Sequence, residues 1–346
     1  MVNALKRNNT IDLMRFVCAI LVVAIHTHPF YDISEWAGVF GTLILPRIAV
    51  PFFLCVSGYF FIKKLNENSE NCFKPIIKVV KIYAIWSVPY VVLNVLSDIM
   101  DGEPIVQIVN NCLTDFFIKG SYYHFWYFPA LIISMLIVVA FYKLKKQRLM
   151  FYISIALYII GCVLRTYYHF VQNLPGVKEF CNSELFVPLR SIFMMAFPFF
   201  ASGYLLNLLM EKVEIKEKFI GRFVFFLWIV FFVEIIAIYK TKIFFNDITV
   251  TFTLYPLVIG MVLLLLNNPM GENAVMSKWA VYSRKLANFI FYVHPLVKLL
   301  LTKSFEVVFE IKLEYTYLFI LTLFTTLFMG IIICKLNIRL INRFLV

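Results

Sequence analysis

Charge is scarce in this chain. Only 15% of its 346 residues are Asp, Glu, Lys or Arg, while 62% are hydrophobic. A water-soluble protein of this length needs far more polar surface, so a soluble globular fold is excluded. Acidic residues are scarcer still, 20 against 32 basic ones, leaving a formal charge of +12. The basic residues are dispersed over short loops and form no single stripe, so a nucleic-acid partner is not expected. A phosphate-binding glycine loop, a zincin motif and a nucleophile-elbow serine are all missing. The seven cysteines show no CxxC pair or zinc spacing and the five histidines are scattered, so no metal site is expected. No cleavable signal peptide is evident, because the first apolar segment carries Arg15 and His26 and lacks a small-residue cleavage site.

Long apolar runs fill the space that charge leaves. Mean hydropathy is +0.85, and the runs match the length a helix needs to cross a bilayer. Uniform segments of this kind suit helices, not alternating barrel strands. The chain therefore reads as an all-α, multi-pass membrane protein, a single membrane domain over 1–346. Ten spans are expected: 10–29, 38–62, 76–97, 125–142, 149–170, 186–210, 219–239, 249–267, 283–303 and 315–337. Basic residues cluster at the N-terminus (Lys6, Arg7), after every second span (Lys63 to Lys81, Lys143 to Arg148, Lys212 to Arg222, Lys278 to Lys285) and in the tail (Lys335, Arg339, Arg343). This bias puts both termini in the cytoplasm of a cell's plasma membrane. The stretches 98–124 and 171–185 are then outside, and the first has enough apolar residues to form an amphipathic surface helix. No internal repeat stands out.

Ionisable groups inside the spans are the functional candidates, since each is costly at membrane depth. Arg15 and His26 share a face of the first span: eleven residues amount to nearly whole turns and about 16 Å of rise. Asp12 stands three residues before Arg15, where an i, i+3 ion pair is available. Arg15 reads either as a snorkelling anchor or as a clamp for a phosphate or carbonyl. His26 reads either as an interfacial hydrogen-bonding residue or as the base that takes a proton from a hydroxyl. Span 2 adds Arg47 and a Ser57-Gly58 pair, the glycine suited to close helix packing. His124 and Trp126 stand among aromatics at the outer mouth of span 4, as belt residues or as part of a sugar-binding lip. Arg190 opens span 6, Tyr292 and His294 lie in the middle of span 9, and Glu234 is a candidate counter-charge for Arg47 or Arg190.

Four segments together resemble the membrane acyltransferase-3 family of integral-membrane O-acyltransferases. IDLMRFVCAILVVAIH is similar to that family's opening motif, an arginine and, after ten residues, a histidine. PFFLCVSGYFF resembles its FFxxSGY motif, HFWYF its H-x-W-F-L segment, and FIFYVH its late Tyr-x-His motif; Arg190 before FPFFASGYLL fits a further common segment. The resemblance implies a ten-helix protein that takes an acyl group from cytoplasmic acyl-CoA, usually acetyl-CoA, and passes it to a sugar hydroxyl in the cell envelope. It implies no tightly bound cofactor, with acetyl-CoA as substrate and a carbohydrate or lipid-linked sugar as acceptor. In those terms His26 is the essential histidine and Arg15 the arginine needed with it, with Arg47 or Arg190 available to an oxyanion. The sequence departs from the pattern in the second histidine of its HTH, His28, and in lacking the fused esterase-like domain of many relatives.

The same resemblance extends to the membrane half of serine racemases of the vancomycin-resistance type, a half proposed to import serine. On that alternative Arg15, Arg47 and Arg190 line a path for a small polar molecule. An inactive assembly scaffold is the third reading, against which the intact Arg15 and His26 pair argues.

Overall fold

The computed structural model describes residues 8–67, 71–212, 216–244, 248–269 and 274–336. Lys6, Arg7, Arg339 and Arg343, four of the residues that set the expected orientation, lie outside these ranges. Every regular element among the described residues is helical. Along the chain run α1 Asn9–Thr27, α2 Glu35–Glu67, α3 Phe73–Met100, α4 Tyr127–Lys143, α5 Gln147–Arg165, α6 Phe186–Glu211, α7 Glu217–Thr241, α8 Leu254–Asn267, α9 Ala274–Val308 and α10 Tyr315–Leu336. Seven of these, α1, α2, α3, α5, α6, α7 and α10, are long and apolar enough to cross a membrane. The helices α4 and α8 are shorter apolar helices. The remaining one, α9, is 35 residues long and carries Lys278, Arg284, Lys285, Lys298 and Lys303 along its length.

Expected and observed boundaries differ for physical reasons. The expected eighth span starts at 249, but helix begins only at Leu254. The residues before it are taken up otherwise: Tyr158 Oη donates to the Thr251 carbonyl at 2.7 Å, and Thr166 Oγ1 donates to that of Val250. The fifth span is expected to reach 170 and its helix ends at Arg165. In the stretch 98–124 a helix forms over Ile105–Thr114, and its Ile105, Val106, Val109 and Leu113 are exposed.

The chain forms two compact units. Unit 1 comprises 1–53, 215–235 and 256–346; unit 2 comprises 54–214 and 236–255. Within unit 1, α1 packs on α9 through Ala19, Val23, Ala287 and Ile290, with Phe16, Phe53, Phe319 and Leu327 around them. Lipid tails are as apolar as leucine, so helices in a bilayer associate by close packing, which small residues permit. Ala19 and Ala287 serve that end, and Gly330 of α10 does the same beneath Leu286 and Phe289. Two polar contacts fix the register of α1 on α9. Asn9 Nδ2 donates to Ser277 Oγ at 3.3 Å, and seventeen residues on in each helix the rings of His26 and His294 stack. Equal spacing in both helices means that they run parallel.

Unit 2 holds a tighter contact. The chain contains two Pro-Phe-Phe segments that each run into Ser-Gly-Tyr, ending at Tyr59 in α2 and Tyr204 in α6. Gly58 and Gly203 meet backbone to backbone: a Cβ at Gly58 would fall 1.9 Å from the Phe200 carbonyl oxygen, and one at Gly203 would fall 2.3 Å from the Gly58 carbonyl carbon. Asn207 Nδ2 donates to the Tyr59 carbonyl at 3.1 Å, and Ser202 Oγ lies 3.2 Å from Cys55 Sγ. Gly58 thus belongs to a packing contact. Neither backbone can retreat as a flexible side chain would, so Gly58→Ala and Gly203→Ala should each destabilise the protein by at least about 1–3 kcal/mol. Thermal unfolding in detergent checks this; an alanine variant that melts with the wild type would show that the helices do not meet there.

Candidate functional site

In unit 1 the site begins with the way α1 ends. Asn8 caps its start, accepting from the Ile11 N–H at 3.1 Å. Asp12 is buried, and Arg15 Nη1 reaches its Oδ1 at 3.2 Å, the ion pair that the i, i+3 spacing predicts. The helix continues unbroken to Thr27 and is closed by His28 in the left-handed region (φ 53°, ψ 50°), whose N–H bonds the Ala24 carbonyl. His28 is therefore an exposed helix cap, its ring directed at Tyr31 with centroids 6.5 Å apart.

His26 has a different setting. Ala19, Val23 and His26 follow one face of α1, as Ala287, Ile290 and His294 follow one face of α9. The apolar contact therefore delivers the two imidazoles to the same level. Their centroids are 5.4 Å apart with the planes inclined by 23°. His294 is fully buried, and its Nδ1 lies 2.8 Å from the Ile290 carbonyl. A carbonyl only accepts, so Nδ1 carries a proton, and in the neutral ring the lone pair is then on Nε2. Pro295 follows inside the helix and has no N–H to offer the Phe291 carbonyl one turn back.

Cations complete the cluster. Lys298 Nζ donates to the His26 carbonyl at 2.7 Å, satisfying one of the open carbonyls at the end of α1. Arg47, with His294, Lys298 and His28, lies within electrostatic reach of His26. It sits on an irregular part of α2, where a π-helical turn (Phe40–Ile44) passes into a 3-10 turn (Leu45–Ile48) that contains Pro46. Such turns recur at functional sites, because they re-aim side chains that a regular helix would hold elsewhere. Tyr292, two residues before His294, is buried, and Glu234 is half-buried in unit 1.

The loop after α1 is tied down at the same end. Thr316, in the first turn of α10, donates its hydroxyl to Asp32 Oδ1 at 2.5 Å and its N–H to Oδ2 at 3.2 Å, and its hydroxyl accepts from the Phe30 N–H at 2.9 Å. Asp32 thereby caps α10 from a distance in sequence. These bonds, the Thr316 hydroxyl first, hold the Asp32 carboxyl below its usual range. A depressed folded-state value means that the anion stabilises the fold; the contribution is complete above the unfolded value near ~4 and fades as pH falls through the folded value. Asp32→Asn should therefore show a flatter dependence of unfolding temperature on pH below about 4 than wild type. Identical profiles would show that the Thr316 contact carries no charge-dependent stability.

Unit 2 assembles other candidates. Trp126 and Arg190 line one cavity of about 330 Å³, together with Lys119, Tyr123, Arg165 and Ser191. Arg190 heads a π-helical stretch (Arg190–Ala196) between Pro188 and Pro198, the same association of proline, irregular turn and arginine as at Arg47. Trp126 is placed by Gly120, whose φ of 94° and close approach to the Trp126 nitrogen leave no room for a Cβ. His124 is 2% exposed within an aromatic cluster, 4.0 Å from Phe125 and 5.1 Å from Tyr90 between centroids, and is not among the cavity's lining residues. Sequence reasoning missed Lys298, Lys119 and Arg165. The signal for the first was present: a lysine four residues after His294 on the same apolar face.

Fold and site together define a multi-pass helical membrane protein with a stacked pair of histidines. Its family follows from comparison with known proteins: the profile described as an acyltransferase domain matches residues 8–335, and the chain belongs to this acyltransferase-3 family. An amino-acid racemase of Enterococcus faecalis is 36% identical over 174 residues, covering 50% of this chain and 24% of that protein. A second amino-acid racemase of Enterococcus faecalis is 32% identical over 178 residues, with 50% and 25% covered. A serine/alanine racemase of Enterococcus gallinarum is 29% identical over 175 residues, with 49% and 24% covered. The chain thus spans about a quarter of the length of the curated relatives it matches. No solved structure matches it.

Proposed function

We propose that the protein is a plasma-membrane O-acyltransferase that moves an acetyl or other short acyl group from cytoplasmic acyl-CoA to a hydroxyl of a cell-envelope carbohydrate. The observation that carries this reading is the stacked His26 and His294 pair, oriented by a backbone carbonyl, with Lys298 on the His26 carbonyl and Arg47 within electrostatic reach. Family membership supports an acyltransferase.

In the proposed step a neutral His26 imidazole takes the proton of the acceptor hydroxyl. The hydroxyl oxygen attacks the thioester carbonyl, the carbon–sulfur bond breaks, and the proton passes from His26 to the departing thiolate. Arg47 supplies positive charge for the transient oxyanion. His294 and Lys298 are positioning residues: one stacks on the His26 ring and the other holds its backbone. Arg15, about 16 Å from His26 along α1, would contact the CoA portion of the donor.

Topology belongs to the same proposal. Ten crossings with both termini in the cytoplasm agree with the basic loops, and with the parallel run of α1 and α9. Seven helical segments separate these two, and an odd number of crossings returns the chain in the same sense.

The likeness to amino-acid and serine/alanine racemases supports a second reading: import of an amino acid such as serine, with no need for CoA. One set of measurements separates the two. Acyl transfer predicts stabilisation of the purified protein by acetyl-CoA, acetyl transfer to an envelope-glycan acceptor, and a loss of roughly 10²–10⁴-fold in rate for His26→Ala but not for His28→Gly. Serine uptake into proteoliposomes, with neither stabilisation nor transfer, would overturn it.

A further inference from the structure

The segment that joins α1 to α2 takes a conformation that its residue types do not favour. His28 and Phe30, neither of them glycine, both have positive φ, 53° and 71°. Such residues are uncommon in the left-handed region and persist where the surroundings impose them. Here the imposing contacts are close. A Cβ at Gly41 would fall 2.6 Å from the Phe30 ring, and one at Gly38 would fall 2.3 Å from Tyr31 Cγ and within 2.6 Å of both Cδ atoms. The Tyr31 ring therefore lies directly against the start of α2. From α10, the bonds of Thr316 to Asp32 and to the Phe30 N–H fix the same segment.

This arrangement fixes the Tyr31 phenol beside the histidine site. Its ring meets that of His28, with centroids 6.5 Å apart, and Tyr31 and Arg47 lie within electrostatic reach of each other. Arg47 and His28 are in turn both within such reach of His26. Arg47 Nε is buried and has no hydrogen-bond partner among the described residues. Burial, opposed by the Arg47 charge, raises the Tyr31 phenol above its ordinary value, so it stays protonated and able to donate near neutral pH. We propose that Tyr31 donates a hydrogen bond to the oxyanion formed at the acyl carbonyl, as a second donor beside Arg47.

The inference rests on the acyl-transfer reading and adds a catalytic residue to it. As the acceptor oxygen bonds to the carbonyl carbon, negative charge gathers on the carbonyl oxygen, and it drains away when the carbon–sulfur bond breaks. The phenol keeps its proton throughout. A donor already fixed in place costs no reorganisation when that charge develops. Packing alone would make no use of the hydroxyl, since a phenyl ring covers Gly38 equally well.

Tyr31→Phe therefore isolates the chemistry: the ring stays on Gly38 and only the donor is lost. Full-length protein in nanodiscs is assayed for acetyl transfer from acetyl-CoA to an envelope-glycan acceptor. The variant should melt with the wild type, keep its KM for acetyl-CoA, and lose roughly 10²-fold in kcat. Gly38→Ala, which keeps the hydroxyl but displaces the ring, should also lose rate, and adding Tyr31→Phe to it should cost little more. Wild-type kcat in Tyr31→Phe, a raised KM with kcat unchanged, or losses that multiply in the double variant would each overturn the proposal. These failures leave acyl transfer itself intact. A wild-type protein that transfers no acetyl group would instead overturn that reading, and this inference with it.

Discussion

The parallel, in-register packing of α1 on α9 is the constraint from which the histidine site follows. Asn9 on Ser277 sets the level at one end, and small apolar residues let the backbones approach in the middle. With those contacts in place the His26 ring stacks on that of His294. Two residues that would each be an unexplained polar cost inside a membrane become a single arrangement. The same packing brings Lys298 to the last turn of α1, where a cation meets both an open carbonyl and the negative end of the helix dipole.

Around this frame the helices are irregular at chosen places. Prolines interrupt α2 and α6 next to Arg47 and Arg190, and Pro295 follows His294. Pro46 and Pro295 each remove a backbone donor from inside a helix, and a polar side chain stands beside each. Elsewhere the structure hides polarity within its own helices: the Ser134 and Thr326 hydroxyls bond carbonyls one turn back. That solution suits lipid, where an unsatisfied group costs several kcal/mol. The contrast separates the polar groups that are merely accommodated from those that the fold presents.

Much of this was legible in the amino-acid sequence. Helical class and the Asp12, Arg15 and His26 alignment follow from composition and from spacing along one helix. Motif resemblance led to the family. What spacing does not encode is which distant helices meet. Asn9 and Ser277 are 268 residues apart, so nothing local pairs His26 with His294. Nor does a periodic pattern reveal π-helical turns, since hydrophobicity continues through them. Arg165 looks like an ordinary basic residue closing a span until Trp126 and Arg190 are seen on the same cavity. His28 is the converse case: a second histidine beside the first looks like shared chemistry, and its left-handed backbone and exposure make it a helix cap. The sequence expectation of no internal repeat also passed over the two Pro-Phe-Phe to Ser-Gly-Tyr segments, whose glycines meet face to face.

The central claim is that His26 and His294 work as one unit because α1 and α9 hold them together. A double-mutant cycle on acetyl transfer measures this directly, using His26→Ala, His294→Ala and the pair. Residues that act as a unit are strongly non-additive. The account predicts that the double variant is no slower than the slower single variant. Losses that multiply, as for two independent sites, would contradict it.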